Sequence, residues 1–352
     1  MTRVLIAGAG PTGLTAALIL QQRGVRARIV ERRPTASPLS RAVGILPSSM
    51  AIFDKLDLGQ RIRDRAVAIE RLIVFADGVE KFHLQLDLDP DPDVRLLSLP
   101  QDVTEEILAE KLAAGGVEVE YGMALEALEE TDGRVQATVG GVQETYDEVL
   151  GADGAHSTVR QALGIEARGF ELPNDWSIAD IDLSEPADPF AQVHLRGAAD
   201  VVFLIPMERA RVRLVSNTPD ALATLGDRLP IAGVRRTGQF RIAIRQVDRY
   251  RSGAVSLAGD AAHLHSPVGG RGMNLGIADA AEWADRLVDG TLDGYSAARH
   301  SAGKHTIGIS EGGRKTLLGG SGTRRAVAVA LLGLASRIPA LSRRLTRQFI
   351  LA

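Results

Sequence analysis

Residues 3–20 read Arg3-Val4-Leu5-Ile6-Ala7-Gly8-Ala9-Gly10-Pro11-Thr12-Gly13-Leu14-Thr15-Ala16-Ala17-Leu18-Ile19-Leu20, and this stretch decides the fold. A short apolar run, as expected of a buried parallel strand, leads into glycines in Gly-x-Gly-x-x-Gly spacing. Leu14, Ala17, Leu18 and Leu20 then recur at helical spacing up to Gly24. A second strand over residues 26–30 ends in Glu31. That is a β-α-β unit of the length this motif requires. Gly8 allows the tight turn, Gly10 lets the backbone approach a pyrophosphate, and Gly13 lets the helix pack close to the sheet. With Pro11 and Thr12 they place a helix N-terminus against phosphate charge. Glu31 is positioned to accept ribose hydroxyls and disfavours a 2′-phosphate, while Arg32 and Arg33 leave that preference open. By itself the motif does not separate NAD from FAD.

Two later turns narrow the choice. The apolar run 148–152 leads into Asp153-Gly154-Ala155-His156-Ser157, with a short helix expected over about 156–163. There Asp153 can fix the strand-to-helix turn by accepting backbone amides. Arg160, one helical turn beyond Ser157, is in reach of an anion. The run 254–258 leads into Gly259-Asp260-Ala261-Ala262-His263, then Ser266-Pro267-Val268-Gly269-Gly270-Arg271-Gly272-Met273-Asn274. A helix follows, with Ile277, Ala280, Ala281, Ala284 and Leu287 on one face. Asp260 is placed to accept sugar or ribityl hydroxyls. The 269–272 loop can bring bare backbone against a flat ring, and the helix after it aims its positive end at whatever the loop holds. The three turns in this order point to FAD.

Composition bounds the alternatives. The chain has 352 residues, 45% hydrophobic and 24% charged, enough to bury one large core or two fused ones. It has no cysteine, which excludes disulfides, thiolate catalysis and Cys-based metal sites. A net charge of −3 and 4% aromatics give no signature of nucleic-acid binding. No secretory leader fits before the first strand, and the longest apolar run, 326–335, is too short to span a bilayer. A cytoplasmic protein without stable membrane insertion is expected.

GAGPTG with Glu31, GADGAHSTVR and GDAAHLHSPVGGRGMN together resemble the FAD-dependent aromatic hydroxylases related to para-hydroxybenzoate hydroxylase, over roughly residues 1–300. The third motif is most similar to the branch acting on polyketide-type substrates. The resemblance implies FAD at Gly8, Gly10, Pro11, Thr12, Gly13, Glu31, Arg32, Asp153, Gly259, Asp260 and Gly270. It also implies Arg41 near the FAD and Gln101 beside its ribose or ribityl chain. Pro267 would flank the reactive face of the ring, with the backbone of Gly272, Met273 and Asn274 at its pyrimidine edge. NADPH or NADH is the implied transient reductant, and no second glycine fingerprint provides it a dedicated domain. The implied reaction is hydroxylation of an aromatic or polyketide-like small molecule with O2, through oxygen added at flavin C4a. Arg271 stands where relatives often carry glutamine, and Val268 where many carry proline or alanine.

The expected fold is α/β: a Rossmann-like FAD-binding domain with an inserted, mostly antiparallel β-sheet substrate domain, then a C-terminal helical segment. The expected division is 1–64, 101–169 and 251–302 for FAD; 65–100 and 170–250 for substrate; and 303–352 helical. Runs such as RLIVFADGVEKFHLQL, with a turn at Asp77-Gly78, and WSIADIDL, DVVFLIP and RVRLVSN carry the strand signals. Phe203 and Ile205 share one strand face, as do Arg213 and Val215, and Phe203, Ile205 and Arg213 are the substrate candidates. Trp176, His83 and His194 read as structural. Residues 303–352 hold nine Lys or Arg and one acid, against a net −11 for the rest. They read as terminal helices packed on the FAD domain with their arginines in water. A membrane surface or acidic partner is the alternative. Rival functions are a flavin reductase or isoprenoid epoxidase on the same fold, a non-catalytic FAD scaffold, and an NAD-dependent dehydrogenase that leaves residues 259–274 unexplained.

Overall fold

A computed structural model describes residues 2–36, 42–87, 94–197, 199–318 and 322–351. The opening apolar run forms the strand Val4–Ala7, buried along its whole length. It sits inside a six-stranded sheet ordered Arg251–Ser252, Val255–Leu257, Glu148–Gly151, Val4–Ala7, Ala27–Glu31, Val119–Tyr121. All neighbours run parallel except the Arg251–Ser252 edge. The three strands that precede the three glycine turns are adjacent and in step, since Ala7 pairs with Gly151 and Gly151 with Leu257. Parallel strands that end together deliver their turns to one edge of the sheet, the place where open α/β sheets bind ligands.

The helix Pro11–Gln22 has proline at its start, where a missing N–H costs nothing. It packs against both Gln101–Ala114 and Gly272–Asp289. Leu5, Ile6, Leu14, Ile29, Ile107, Leu150, Ile277 and Trp283 share one core.

A second sheet has eight strands, ordered His263–Leu264, Ile231–Val247, Ala167–Leu183, Arg211–Ser216, Asp200–Glu208, Phe190–Arg196, Arg71–Ala76, Val79–Gln85. All pairs in it are antiparallel except Phe190–Arg196 with Arg71–Ala76. The Asp77-Gly78 turn joins the last two, with φ of +50° and +82°. Positive φ at both positions matches the right-handed twist of a hairpin. Two three-stranded sheets complete the fold.

The eight-stranded sheet has two apolar faces. Phe203 lies opposite Val215, Ile205 opposite Arg213, Asp180 opposite Arg213, and Trp176 opposite Phe240. Directly opposed residues share a face. That aromatic face joins Val74, Phe82 and Val193 in a core with Val329, Leu345, Phe349 and Ile350. Val202, Leu204, Val212 and Leu214 form the other face, covered by the helix Ala221–Leu225.

The C-terminal region is helical: Tyr295–Leu318, Gly322–Ser336 and Pro339–Leu351. One expectation is corrected here. The last two helices bury their apolar residues in the core of the eight-stranded sheet, rather than on the six-stranded sheet. The open apolar face of strand Val79–Gln85 is what they cover, and Thr346 Oγ1 donates to Gln85 O at 2.9 Å.

Candidate active site

The three turns interlock at the sheet edge. Gly8 has φ +104°, and a side chain there would collide with Ala152, the residue before Asp153. A Cβ on Gly13 would overlap the Gly8 carbonyl, so the helix can sit this close to the strand only with glycine. Thr12 fills the space beside Gly259 and Gly276, which joins the first turn to the third. Asp153 accepts from Ser157 Oγ and, at 3.1 Å, from the Val159 N–H. Burial pushes its carboxyl pKa up, with those hydrogen bonds opposing. Arg160 donates to Ala261 O at 2.9 Å and to Ala155 O at 2.8 Å, tying the second turn to the third.

At the same edge, where the strand Ala27–Glu31 ends, Glu31 is buried and accepts the Ala9 N–H at 3.0 Å. Its other bonds come from the Arg33 backbone and guanidinium. Burial favours the neutral acid, but the hydrogen bonds from Arg33 and Ala9 outweigh it and hold the pKa below the usual carboxylate value. Arg32 is exposed. Gln101 opens the helix Gln101–Ala114; its Oε1 accepts the Ala42 N–H at 3.1 Å and its Nε2 donates to Glu105 at 2.8 Å. Arg41 lies outside the described residues.

The third turn is anchored from behind. Asp279, fully buried, accepts the Gly259 N–H at 3.0 Å, His263 Nε2 at 2.5 Å and Arg299 Nε at 2.6 Å. Burial alone would raise its pKa; the His263 and Arg299 partners and the Gly259 N–H hold it below the ordinary value. Asp260 projects from this turn at an exposed position. Pro267 and Gly270 are exposed in the loop, and Gly270 has φ +61°. Gly272, Met273 and Asn274 form the first turn of the helix Gly272–Asp289. The Asn274 side chain stitches the loop inward, donating to Gly44 O and Gly270 O at 2.9 Å and accepting the Leu46 N–H at 2.8 Å. Arg271 turns away and donates to Gln348 O and Phe349 O, at 2.9 and 3.0 Å. His265 donates from Nδ1 to Ser266 O at 2.9 Å, which leaves Nε2 as a buried acceptor near Gly272. Burial pushes its pKa down to about 4.

The substrate candidates lie together on the aromatic sheet face. Phe203 is half-buried and stacked on Trp176, with ring centroids 6.4 Å apart. Ile205 is half-buried beside it. Arg213 is buried and forked onto Asp180 at 2.6 and 2.7 Å, so its guanidinium has a carboxylate partner inside the protein. Leu96, which packs at the border of this aromatic core, stands next to Gly44, and Gly44 stands next to Gly270. The sheet face and the glycine loop therefore meet.

A family profile described as an FAD binding domain matches residues 1–307. The chain belongs to the FAD-binding family of aromatic hydroxylases. Over 328 residues it is 32% identical to rifampicin monooxygenase of Streptomyces venezuelae, covering 85% of this chain and 68% of that protein. Over 335 residues it is 31% identical to 6-methylpretetramide 4-monooxygenase of Streptomyces rimosus, covering 86% and 59%. It thus falls well short of the full length of either relative. Among solved structures, p-nitrophenol 4-monooxygenase from Pseudomonas putida superposes with a TM-score of 0.88 at 24% identity, covering 99% of this chain and 98% of that one. At that identity the likeness shows the shared fold.

The cofactor of this FAD-binding hydroxylase fold fits the residues present. The helices Pro11–Gln22 and Gly272–Asp289 both begin without a side-chain cap, so their first-turn N–H groups are available to an outside acceptor. A Cβ on Gly10 would meet its nearest neighbour, Glu105 Oε1, at 4.0 Å, so the backbone there faces open room.

Sequence reasoning missed Asp279, Arg299 and Glu105. Two of them had a readable signal. Asp279 falls three residues after Gly276 and four before Trp283, a carboxylate inside the buried stripe of its helix. Glu105 likewise sits between buried Thr104 and Ile107. Arg299 has no such signal, because its role is set by a partner 20 residues away.

Proposed function

We propose that this protein is an FAD-dependent monooxygenase that hydroxylates an aromatic or polyketide-like small molecule, with NADPH or NADH as reductant and O2 as oxygen source. The observation that carries it is the in-step ending of three parallel strands, which gathers three glycine turns at one sheet edge, where the third meets the border of an aromatic sheet face. The names of the curated relatives, both monooxygenases, support the same reading.

FAD, when bound, supplies the redox and oxygen-transfer chemistry. Gly8, Gly10, Pro11, Thr12 and Gly13 would hold its pyrophosphate on the N-terminus of the first helix. Glu31 would take the ribose hydroxyls by releasing contacts to Arg33, and Gln101 and Asp260 would hold the sugar and ribityl chain. Asp153 would keep the second turn closed. Gly270, Gly272, Met273 and Asn274 would offer backbone to the pyrimidine edge, where a helix N-terminus stabilises negative charge. Pro267 would flank the ring's reactive side. Trp176, Phe203 and Phe240 would give the substrate an apolar wall that excludes water. The two sheets with their connecting helices would serve as cofactor unit and substrate unit, closed by the C-terminal helices.

The reductant would dock transiently against an open cavity of about 600 Å³ lined by Arg160, Arg168 and Arg245. Guanidinium groups suit the phosphates of a nicotinamide dinucleotide.

The test is NAD(P)H oxidation by the FAD-loaded protein with a panel of phenols and polycyclic aromatics under isotopically labelled O2. Label incorporated into a hydroxylated product is the expected result. Products that are dehydrogenated without added oxygen, or that take oxygen from water, would overturn the assignment. Reductant consumption alone is insufficient, because uncoupled flavin makes peroxide.

A further inference from the structure

We propose that the helical hairpin formed by Gly322–Ser336 and Pro339–Leu351 docks on an anionic lipid membrane surface. The first helix is apolar on two sides. Its inner side carries Val329 and Gly333, buried against the eight-stranded sheet. Its outer side carries Val327, Leu331 and Leu334 at i, i+4 and i+7, and Ile338 and Leu341 continue past the turn. These five side chains are between 41% and 62% exposed. A helix that is apolar all round is ordinarily buried all round. Here one half of that surface has a protein partner and the other half faces outward.

Charge says what the outer half meets. Residues 322–351 contain six arginines and no acid. Arg325 is buried and spent on the carbonyls of Gly197 and Asp200. Arg324, Arg337, Arg343, Arg344 and Arg347 are exposed. Arg324 lies three residues before Val327 and Arg344 three after Leu341, so helical spacing puts a guanidinium at each end of the apolar stripe. Apolar side chains centred between arginines match an interface of acyl chains and anionic headgroups. A second copy of the chain would bring the same acid-free arginine set against itself, which charge disfavours.

The geometry favours lying on a membrane over crossing it. The two helices are bent by 114° at the turn, and no single helix among the described residues is long and apolar enough to cross. Helices of 15 and 13 residues are also shorter than a bilayer core. Arg271 holds the carbonyls of Gln348 and Phe349, and Thr346 holds Gln85, so the hairpin is pinned to the enzyme with its stripe outward.

The experiment is co-sedimentation of the full chain, loaded with FAD, with vesicles of phosphatidylcholine alone or mixed with phosphatidylglycerol. Binding to the mixed vesicles, little to the neutral ones, and release by high salt are expected. Arg324→Ala with Arg344→Ala should weaken binding roughly fivefold per arginine, and Leu331→Ser with Leu334→Ser should abolish it. Both pairs replace exposed residues, so flavin absorbance and thermal unfolding are expected to match the parent. Equal binding to both vesicle types would overturn the proposal, as would no sedimentation with either. A dimer in ultracentrifugation that disappears in the Leu331→Ser, Leu334→Ser variant, with no vesicle binding by the parent, would reassign the stripe to self-association and also overturn it.

Discussion

Thr12 Oγ1 occupies the space that a side chain on Gly259 would need: a Cβ there would stand 2.6 Å from that oxygen, at a backbone φ of +60°. Two residues 247 positions apart thereby lock the first glycine turn to the third, and Gly276 makes room for the same threonine.

Gly259→Ala is therefore expected to destabilise the protein by about 2–4 kcal/mol, from overpacking plus left-handed strain, and to lower flavin retention. Thr12→Ala in the same chain removes the blocking oxygen and should restore part of the loss. The non-additivity is read from urea midpoints of the single and double variants. Simple addition of the two effects would show that the turns do not press on each other.

Asp279 binds His263, Arg299 and the Gly259 amide at once. Asp279→Asn keeps the shape and removes the charge that the Arg299 guanidinium, the His263 ring and the Gly259 N–H all face. A loss of about 3–5 kcal/mol is expected, together with release of FAD at lower urea than global unfolding, because the Gly259 turn loses its anchor. Flavin fluorescence against circular dichroism along the titration checks this.

Arg271 connects the glycine loop to the last helical turn through two carbonyls. Arg271→Gln is too short to reach both. It should cost about 1–3 kcal/mol and speed protease cleavage within residues 339–351 while leaving cleavage elsewhere unchanged. Mass spectrometry of timed digests locates the cuts.

His265 sets a pH dependence whose sign follows from its burial. Its folded pKa is pushed from 6.5 down to about 4. Between those values the unfolded chain takes up a proton that the folded protein refuses. Stability therefore falls as pH drops from 6.5 toward 4, by up to about 3 kcal/mol for this residue. His194, also pushed down to about 4 by burial, adds a slope of the same sign. His265→Gln should flatten the pH profile of unfolding free energy over that window but not abolish it.

Arg168 and Arg245 line the open cavity beside the second turn, the first exposed and the second half-buried, paired with Glu166 and Glu171. Replacing both with alanine is expected to raise KM for NAD(P)H about tenfold with kcat at saturation little changed and FAD retained. Steady-state kinetics at varied reductant decides it. An unchanged KM would move the docking site elsewhere.

The fold was largely legible because its signals are local. Residues 3–31 contain a whole β-α-β unit, and the glycine spacings carry their own steric reasons. The hairpin at Asp77-Gly78 announced itself in the same way. Arg213 shows the limit. Strand periodicity correctly placed it on a face, and pairing put that face together with Phe203, but periodicity was blind to Asp180, which lies 33 residues earlier and takes up its charge. The terminal helices show the same limit. Their amphipathic pattern said that one side is buried, and only the open apolar face of strand Val79–Gln85 said against what.

The sequence by itself determined that three glycine turns of this chain end strands and open helices or loops, since φ, helix starts and burial periods are properties of neighbouring residues. What only the tertiary structure decided is which distant groups those turns lean on: Thr12 against Gly259, Asp279 behind the third turn, Arg271 on the last helix. Such partnerships depend on where parallel strands stop and which face a helix turns inward, and no local spacing encodes either.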